Sequence, residues 1–406
     1  MSTFRTPSML ASTSRSFCSC APAHTSKVPR SARRTPVNME PPRIKHPKPL
    51  APSVPKTELF TALTSTPAIR NRPTLINEDS ARDLVRAWGV DQMHDVTVVE
   101  PYAGPGGLTR AFLELKNVKR VIAIEDAFRY MPHLASLKAK LDDPDRLHHM
   151  PMDSFHWETY TQVKAQGSMR DVPEVPWEQV HPNLFLAAQV PNHRHGEQLF
   201  VQFVSAAAGR MWYYQYGRFQ MGFLGSESFW KVRPLLTRLA HPKLKTTCCR
   251  CGAQKIFAKP GEVAHHKLAV LLPALAKLER VEIMSGLRPA DMHFHRPRGD
   301  PAIISGVKAT PHVTPLVKNY DALEYIARHM FVGKATSWSK ALAAISPGTG
   351  NLVPKLVEQG LTDPGKLVNE LTLEEWAKIA DTFDAWPFRP ANLFDEVFTE
   401  ESARQN

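Results

Sequence analysis

The chain has 406 residues, with 51 Lys and Arg against 39 Asp and Glu, and a formal net charge of +12. This length provides for about two domains. No stretch of about 18 or more apolar residues is present, so the sequence predicts a soluble protein with no membrane partner. Five cysteines in two clusters are too few for a disulfide framework, which excludes the small secreted class and indicates a reducing compartment.

The N-terminal segment differs from the rest of the chain. Its first 56 residues contain ten Lys and Arg and one acidic residue, Glu40, so they carry about +9 of the net charge. Residues 1–35 are rich in Ser, Thr and Arg and lack acids, which predicts a transit peptide and a mitochondrial matrix location. Residues 36–56 are rich in proline and predict an extended linker. A basic, disordered nucleic-acid-binding arm is the alternative.

A strand, turn, helix and second strand follow one another between residues 96 and 126. Residues 96–100 and 120–124 are β-branched or apolar and predict strands, residues 104–107 hold three glycines, and residues 108–115 predict a helix. Glycines at this place let the backbone turn sharply and approach a ligand at the N-terminus of a helix. An ordinary βαβ turn with incidental glycines is the alternative.

Acidic residues close both strands of this unit. Glu100 ends the first strand, and Glu125 and Asp126 end the second, where a carboxylate can accept hydrogen bonds from two ribose hydroxyls. The loop that includes Gly104 and Gly106 departs from G-x-G-x-x-G, which favours S-adenosylmethionine over a dinucleotide. We therefore predict that these five residues bind that cofactor.

A third strand at residues 146–150 leads to another acidic residue, Asp153. Because ligands bind at the carboxyl edge of open α/β sheets, Asp153 is predicted to accept a hydrogen bond from the adenine amino group. A helix N-cap is the competing role. Further along, the sequence predicts a helix at residues 267–278 and strands at residues 281–284 and 302–307.

The ten residues from Glu100 to Thr109, EPYAGPGGLT, resemble the first methyltransferase motif of the rRNA adenine N6-dimethyltransferase family. They are most similar to its mitochondrial branch, the mitochondrial transcription factor B proteins. The likeness continues at residues 72–77, at Met152 and Asp153, and at residues 319–352. It implies a Rossmann-like class I S-adenosylmethionine-dependent methyltransferase domain at residues 57–315. A C-terminal helical nucleic-acid-binding domain at 316–386 and an acidic tail at 387–406 are expected to follow.

The resemblance also places a target-adenine pocket after the fourth strand, where the family carries Asn-Leu-Pro-Tyr or a close variant. A base extruded from RNA needs edge hydrogen bonds and a stacking partner. Here the corresponding residues are Gln189, Val190, Pro191 and Asn192, so only the proline matches, and Asn192 offers no ring. We predict a degenerate catalytic pocket formed by Gln189, Pro191 and Asn192. An alternative alignment would use Asn183.

Two further segments are candidates for nucleic-acid contact. Residues 210–220 predict a fifth strand, and there Trp212, Tyr214 and Arg218 could stack on or flank a single strand; burial in the core is the equal alternative. In the helical region the resemblance implies contacts from three more residues, and solvated charge is the alternative for the two lysines. These residues are Lys334, Trp338 and Lys340.

The predicted function is that of a mitochondrial transcription initiation factor, which would bind the single-subunit mitochondrial RNA polymerase and hold promoter DNA open. The enzyme alternative is an S-adenosylmethionine-dependent dimethyltransferase of mitochondrial small-subunit rRNA. A matrix RNA-binding or ribosome-assembly protein is a third possibility. Cys248, Cys249 and Cys251 could bind zinc with nearby histidines, but their spacing is not that of two pairs, so no metal is predicted.

Overall fold

A computed structural model describes residues 72–191, 194–226, 256–284, 287 and 304–393, without the side chains of residues 194, 195, 197, 226 and 304. The predicted transit peptide, the linker, Asn192, the Cys248 to Cys251 cluster and the end of the predicted tail lie outside these ranges. No helix in the described ranges has the length and apolar character needed to cross a bilayer.

The described residues form one seven-stranded sheet with the order β3-β2-β1-β4-β5-β7-β6. The first five strands in this order are parallel, and β7 runs antiparallel to both of its neighbours. The strands are β1 Val96–Pro101, β2 Val118–Ile124, β3 Leu147–Met150, β4 Val180–Gln189, β5 Arg218–Ser226, β6 Ala276–Val281 and β7 Ile304–Pro311. The chain order reverses between β1 and β4, which is where ligands bind in doubly wound sheets. The prediction of a Rossmann-like class I fold is confirmed.

Helices connect the strands and then continue alone to the end of the described chain. Those among the strands are α1 Glu78–Ala87, α2 Gly107–Leu113, α3 Met131–Ala139, α4 Trp157–Ala165, α5 Arg194–Ser205 and α6 Lys267–Leu275. Those after β7 are α7 Tyr320–Met330, α8 Trp338–Ala343, α9 Leu352–Glu358 and α10 Leu373–Asp384. The predicted helical C-terminal pattern is thus present, although where one domain ends and the next begins stays a prediction.

Local sequence explains where the first and last helices begin. The Asn77 side chain accepts a hydrogen bond from the Ser80 backbone N–H and so caps α1. Thr372 and Glu375 form a reciprocal capping box at the start of α10. Both N-terminal caps depend on residues only three apart in the chain.

The core lies on both faces of the sheet. One cluster contains Trp88, Phe112 and Phe185 between the sheet and the helices α1 and α2. The other covers the opposite face and continues without a break into the C-terminal helices, where Trp338 and Trp376 are fully buried. The C-terminal helices therefore share a core with the sheet.

Several predicted elements shift in the structure. Residues 212–216, predicted as part of the fifth strand, form a 3-10 turn, and β5 starts only at Arg218. The helix predicted at residues 267–278 ends at Leu275 and passes directly into β6, which replaces the strand predicted at 281–284. Strand β7 begins within the predicted range and extends to Pro311.

Candidate functional site

The glycine loop joins β1 to α2 at the carboxyl edge of the sheet. Gly104 and Gly106 have φ angles of 64° and 90°, a region that costs other residues energy and that glycine adopts freely. Tyr102 has a φ of 56° in the same turn, although it carries a bulky side chain. Its backbone N–H donates to the Ser154 hydroxyl at 3.0 Å. The turn predicted from the glycines is therefore present, with a strained tyrosine at its start.

Glu125, at the end of β2, is fully enclosed. Its Oε2 accepts from the Gly104 N–H at 2.7 Å, and its Oε1 accepts from the Ala127 N–H at 3.0 Å. The two guanidinium nitrogens of Arg72 donate to the same two oxygens, the nearer at 2.5 Å and the other at 3.0 Å. The sequence placed Glu125 at this edge, but nothing local to Arg72, 53 residues away, marked it as a partner.

Arg72 lies between two aromatic rings. Its guanidinium carbon is 4.7 Å from the centroid of Tyr102 and 5.7 Å from that of Tyr130. All three side chains are buried. Burial lowers the pKa of Arg72, but the charge and hydrogen bonds of Glu125 outweigh this and raise it above its ordinary value.

The other predicted cofactor carboxylates differ in environment. Glu100 is completely buried and accepts from the Thr109 hydroxyl at 2.6 Å, so it ties β1 to α2 from behind the loop. Burial raises the pKa of Glu100 to about 8. Asp126 is exposed, and its pKa is raised by partial burial and then by the charges of Glu125 and Asp153. Asp126 is therefore open to a ligand, whereas Glu100 acts on the geometry of the loop.

Asp153 lies at the same edge after β3. Its side chain accepts from the Phe155 N–H at 2.9 Å, and it keeps about two fifths of its surface exposed, with a side-chain value of 39%. The N-cap of α4 is His156, so the alternative of a helix cap at Asp153 is not realised. An adenine-binding role for Asp153 stays a prediction.

The residues around the loop do not fit the nucleoside of S-adenosylmethionine as they stand. A ribose subsite needs a carboxylate with free acceptor positions, and both oxygens of Glu125 are bonded to Arg72 and to backbone N–H groups. The ring of Tyr102 packs on the Arg72 guanidinium and adds bulk beside the same carboxylate. Gly104, Gly106, Glu125, Asp126 and Asp153 do lie at one sheet edge, so the framework of the predicted site is present while its central subsite is filled.

In the predicted adenine pocket, the polar atoms of Gln189 are hydrogen-bonded to backbone groups of the chain. Gln189 is buried, its Oε1 accepts from the Leu75 N–H at 3.0 Å, and its Nε2 lies 3.4 Å and 3.3 Å from the carbonyl oxygens of Tyr102 and Ala103. The Gln189 amide is thus held by backbone groups at both of its polar atoms, and a degenerate adenine pocket at this place stays a prediction. Pro191 is buried beside it, and Asn192 lies outside the described residues.

The alternative alignment can be judged from the register of the sheet. Asn183 lies near the start of β4, where Leu184 pairs with Thr97 at the start of β1. Its side chain donates to the His94 carbonyl at 3.1 Å. Asn183 is therefore at the amino edge of the sheet, opposite the loop, and cannot replace Gln189 in the pocket.

Three predicted nucleic-acid contacts are buried, so their prediction as direct contacts is wrong. Tyr214 packs near Met221, and the Trp338 indole donates to the Asp363 carbonyl at 2.8 Å. The guanidinium of Arg218 donates to four backbone carbonyls, which joins β5 to neighbouring segments. For Tyr214 and Arg218, burial in the core was the equal alternative, and it is the one that the structure shows.

The other three remain candidates. Trp212 is half-buried, with its ring centroid 4.3 Å from that of Tyr160 in a stacked arrangement. Lys334 is half-buried and donates to the Val263 carbonyl at 2.8 Å, and Lys340 is exposed on α8. Lys340 is therefore the most accessible cation of the predicted set.

Comparisons with known proteins found distant relatives of this chain. A mitochondrial dimethyladenosine transferase 1 of Vermamoeba vermiformis is 22% identical over 76% of this chain and 87% of its own length. The mitochondrial transcription factor 1 of Saccharomyces paradoxus is 24% identical over 80% of this chain and 90% of its own. A solved dimethyladenosine transferase from Plasmodium falciparum is 15% identical, with a TM-score of 0.49 over 77% of this chain and 97% of that one.

The family assignment rests on a longer match. Residues 75–385 match the family described as ribosomal RNA adenine dimethylase, and they include the glycine loop, the sheet and all four C-terminal helices. The family is one of S-adenosylmethionine-dependent methyltransferases. Since the match spans most of the sequence, this chain belongs to the ribosomal RNA adenine dimethylase family.

Proposed function

We propose that this chain is a mitochondrial transcription initiation factor that binds the single-subunit mitochondrial RNA polymerase and stabilises the melted promoter. The observation that carries the proposal is that Gln189 and Glu125 are hydrogen-bonded to groups of the chain itself. Base recognition would depend on Gln189 and ribose binding on Glu125. Two yeast relatives named mitochondrial transcription factor 1 support the same direction.

The role needs a stable shape and local charge, and it needs no methyl donor. The family fold is kept through the sheet and its helices, while the pocket that would receive a flipped base has no free amide at Gln189. A protein selected for docking on a polymerase retains its surface and core under such changes. An enzyme selected for methylation loses transition-state positioning when a group is displaced by about 1 Å.

Promoter contact is proposed to come from the accessible groups of the earlier set. Lys340 is exposed and can approach a phosphate, and half-buried Trp212 offers a partly accessible ring for an unpaired base. Lys334 is a further cation of the proposed contact, although part of its hydrogen-bonding capacity is taken by the Val263 carbonyl. The charge of the body is small, so this contact is expected to be local and to act together with the polymerase.

The location proposed is the mitochondrial matrix. Relatives with mitochondrial names support a mitochondrial protein. The acid-free residues 1–35 support a cleaved transit peptide, and the polymerase and promoter proposed as partners lie in the matrix.

Run-off transcription tests the proposal. Residues 40–406 are added to the cognate polymerase on a closed promoter and on the same promoter pre-melted. A requirement on the closed duplex alone supports promoter melting. No effect on either template, with the polymerase active on the pre-melted one, refutes it.

A matched pair of variants sharpens the same assay. Lys340→Ala is expected to weaken stimulation on the closed promoter, because it removes an exposed phosphate contact. Lys116→Ala is the control, since Lys116 is equally exposed but precedes β2 at the opposite, amino edge of the sheet. Equal loss in both variants would contradict a localised contact.

The second candidate is a dimethyltransferase of mitochondrial small-subunit rRNA. It is favoured by the retained loop glycines and by the accessible carboxylates Asp126 and Asp153 at the correct edge. Transfer of labelled methyl groups to unmethylated small-subunit rRNA distinguishes it. Measurable transfer by the unchanged chain would favour this activity. A gain only with Gln189→Asn and Asn192→Tyr would indicate an enzyme lost by drift of the pocket.

A further inference from the structure

We propose that Arg72 is a built-in occupant of the ribose subsite, so that the chain supplies its own substitute for the nucleoside and excludes S-adenosylmethionine. The inference concerns the cofactor site alone and holds or fails independently of the transcription role.

The chemistry of the two occupants is similar. A ribose presents two neighbouring hydroxyl donors to one carboxylate, and a guanidinium presents two parallel N–H donors to the same pair of oxygens. Arg72 uses this bidentate geometry on Glu125, with one nitrogen on each oxygen. Because both oxygens also accept a backbone N–H, no acceptor direction on Glu125 faces an open pocket.

Because Glu125 is buried, its carboxylate needs a charged partner. Glu125 is 1% exposed, and an ionised carboxylate without a partner there would carry a large desolvation cost. Arg72 is 6% exposed and has no carboxylate partner other than Glu125 among the described ion pairs. Each charge therefore depends on the other.

The aromatic rings complete the replacement. Tyr102 and Tyr130 cover the guanidinium, where a nucleoside would otherwise be enclosed. Tyr102 does so from a left-handed backbone conformation that costs a non-glycine residue energy. A side chain held at that cost indicates that its ring contributes to the site.

The segment that carries Arg72 is fixed at a second point. Residues 72–75 lie over the glycine loop, and the Leu75 N–H donates to Gln189. A Cβ on Gly107 would come within 2.7 Å of the Leu75 carbonyl oxygen, so the segment lies directly against the loop. Arg72 and Gln189 thus fix residues 72–75 across the carboxyl edge of the sheet.

Binding of S-adenosylmethionine to the purified full chain tests the proposal by titration calorimetry. The variants are Arg72→Ala, Tyr102→Gly and the double variant. Arg82→Ala is the control, since Arg82 pairs with Glu78 and Asp79 of α1 and with Glu114 just after α2. We expect no detectable binding by the unchanged chain or by the control, and measurable binding by the double variant with an affinity at least about tenfold above the detection limit. Tight binding by the unchanged chain, or no gain in a folded double variant, would overturn the proposal.

A stability cycle tests the pairing without the cofactor. Arg72→Met, Glu125→Gln and their combination are unfolded with urea. If the two charges depend on each other, each substitution alone lowers the unfolding midpoint strongly. The same substitution then lowers the midpoint less when its partner has already been replaced. Strictly additive shifts would show that Arg72 does not compensate Glu125. Failure here leaves the run-off result unaffected, so the two claims are tested separately.

Discussion

Replacement of Glu100 by glutamine should change how the stability of this protein depends on pH. The carboxyl is completely buried, one oxygen accepts from Thr109, and the other has no hydrogen-bond partner in the described structure. Burial raises its pKa from 4.5 to about 8, so Glu100 is mostly protonated at neutral pH in the folded chain. Glutamine preserves the shape and removes the titration.

The sign and size follow from proton linkage. Between its unfolded and folded pKa values the folded chain binds the extra proton, so the free energy of unfolding falls as pH rises through this interval. A shift from 4.5 to about 8 corresponds to roughly 5 kcal/mol in total. About 2 kcal/mol of this is lost between about pH 6.5 and about pH 9.

Urea unfolding of both proteins across that window measures the effect. The difference between the two curves isolates Glu100, because other titrating groups, including His148 and His181, are common to both proteins. Glu100→Gln should become more stable relative to the unchanged chain by about 2 kcal/mol over the interval. Parallel curves would refute the assignment of a protonated Glu100.

Four further substitutions test the packing and the corrected contacts. Gly222→Ala should lower the free energy of unfolding by about 1–3 kcal/mol, since its Cβ would come within 2.5 Å of the Trp88 ring; an unchanged urea midpoint would contradict this. Arg218→Met should destabilise by at least about 3 kcal/mol, because it leaves four buried or partly buried carbonyls without their donor, and thermal melting measures the loss. Trp338→Ala should cost about 3–5 kcal/mol, whereas Lys340→Ala should leave the melting temperature unchanged; the reverse order would restore Trp338 as a surface contact.

Local patterns in the sequence predicted the first βαβ unit well. The β-branched residues of β1, the glycines at 104 and 106 and the acids at the end of β2 act over a few residues each, and the structure keeps their order. The cap at Asn77 was predictable for the same reason. These features depend on neighbours in the chain, which a single sequence displays.

Features that depend on distant partners were not predictable. Arg72 meets Glu125 across 53 residues, and Gln189 meets Leu75 across 114. The sequence left Tyr214 open between core and contact, and its burial, like that of Trp338, is decided by how the helices pack on the sheet. The 3-10 turn at residues 212–216 replaces a strand because Trp212 and Gly217 have positive φ angles, which composition does not indicate.

The most direct test of the central claim is promoter melting itself. A 2-aminopurine base is placed in the region of the promoter that melts, and its fluorescence is followed with polymerase alone, with this chain alone and with both, in the absence of S-adenosylmethionine. The account predicts a rise in fluorescence only when both proteins are present. No rise with both proteins, or a rise that requires S-adenosylmethionine, would contradict it.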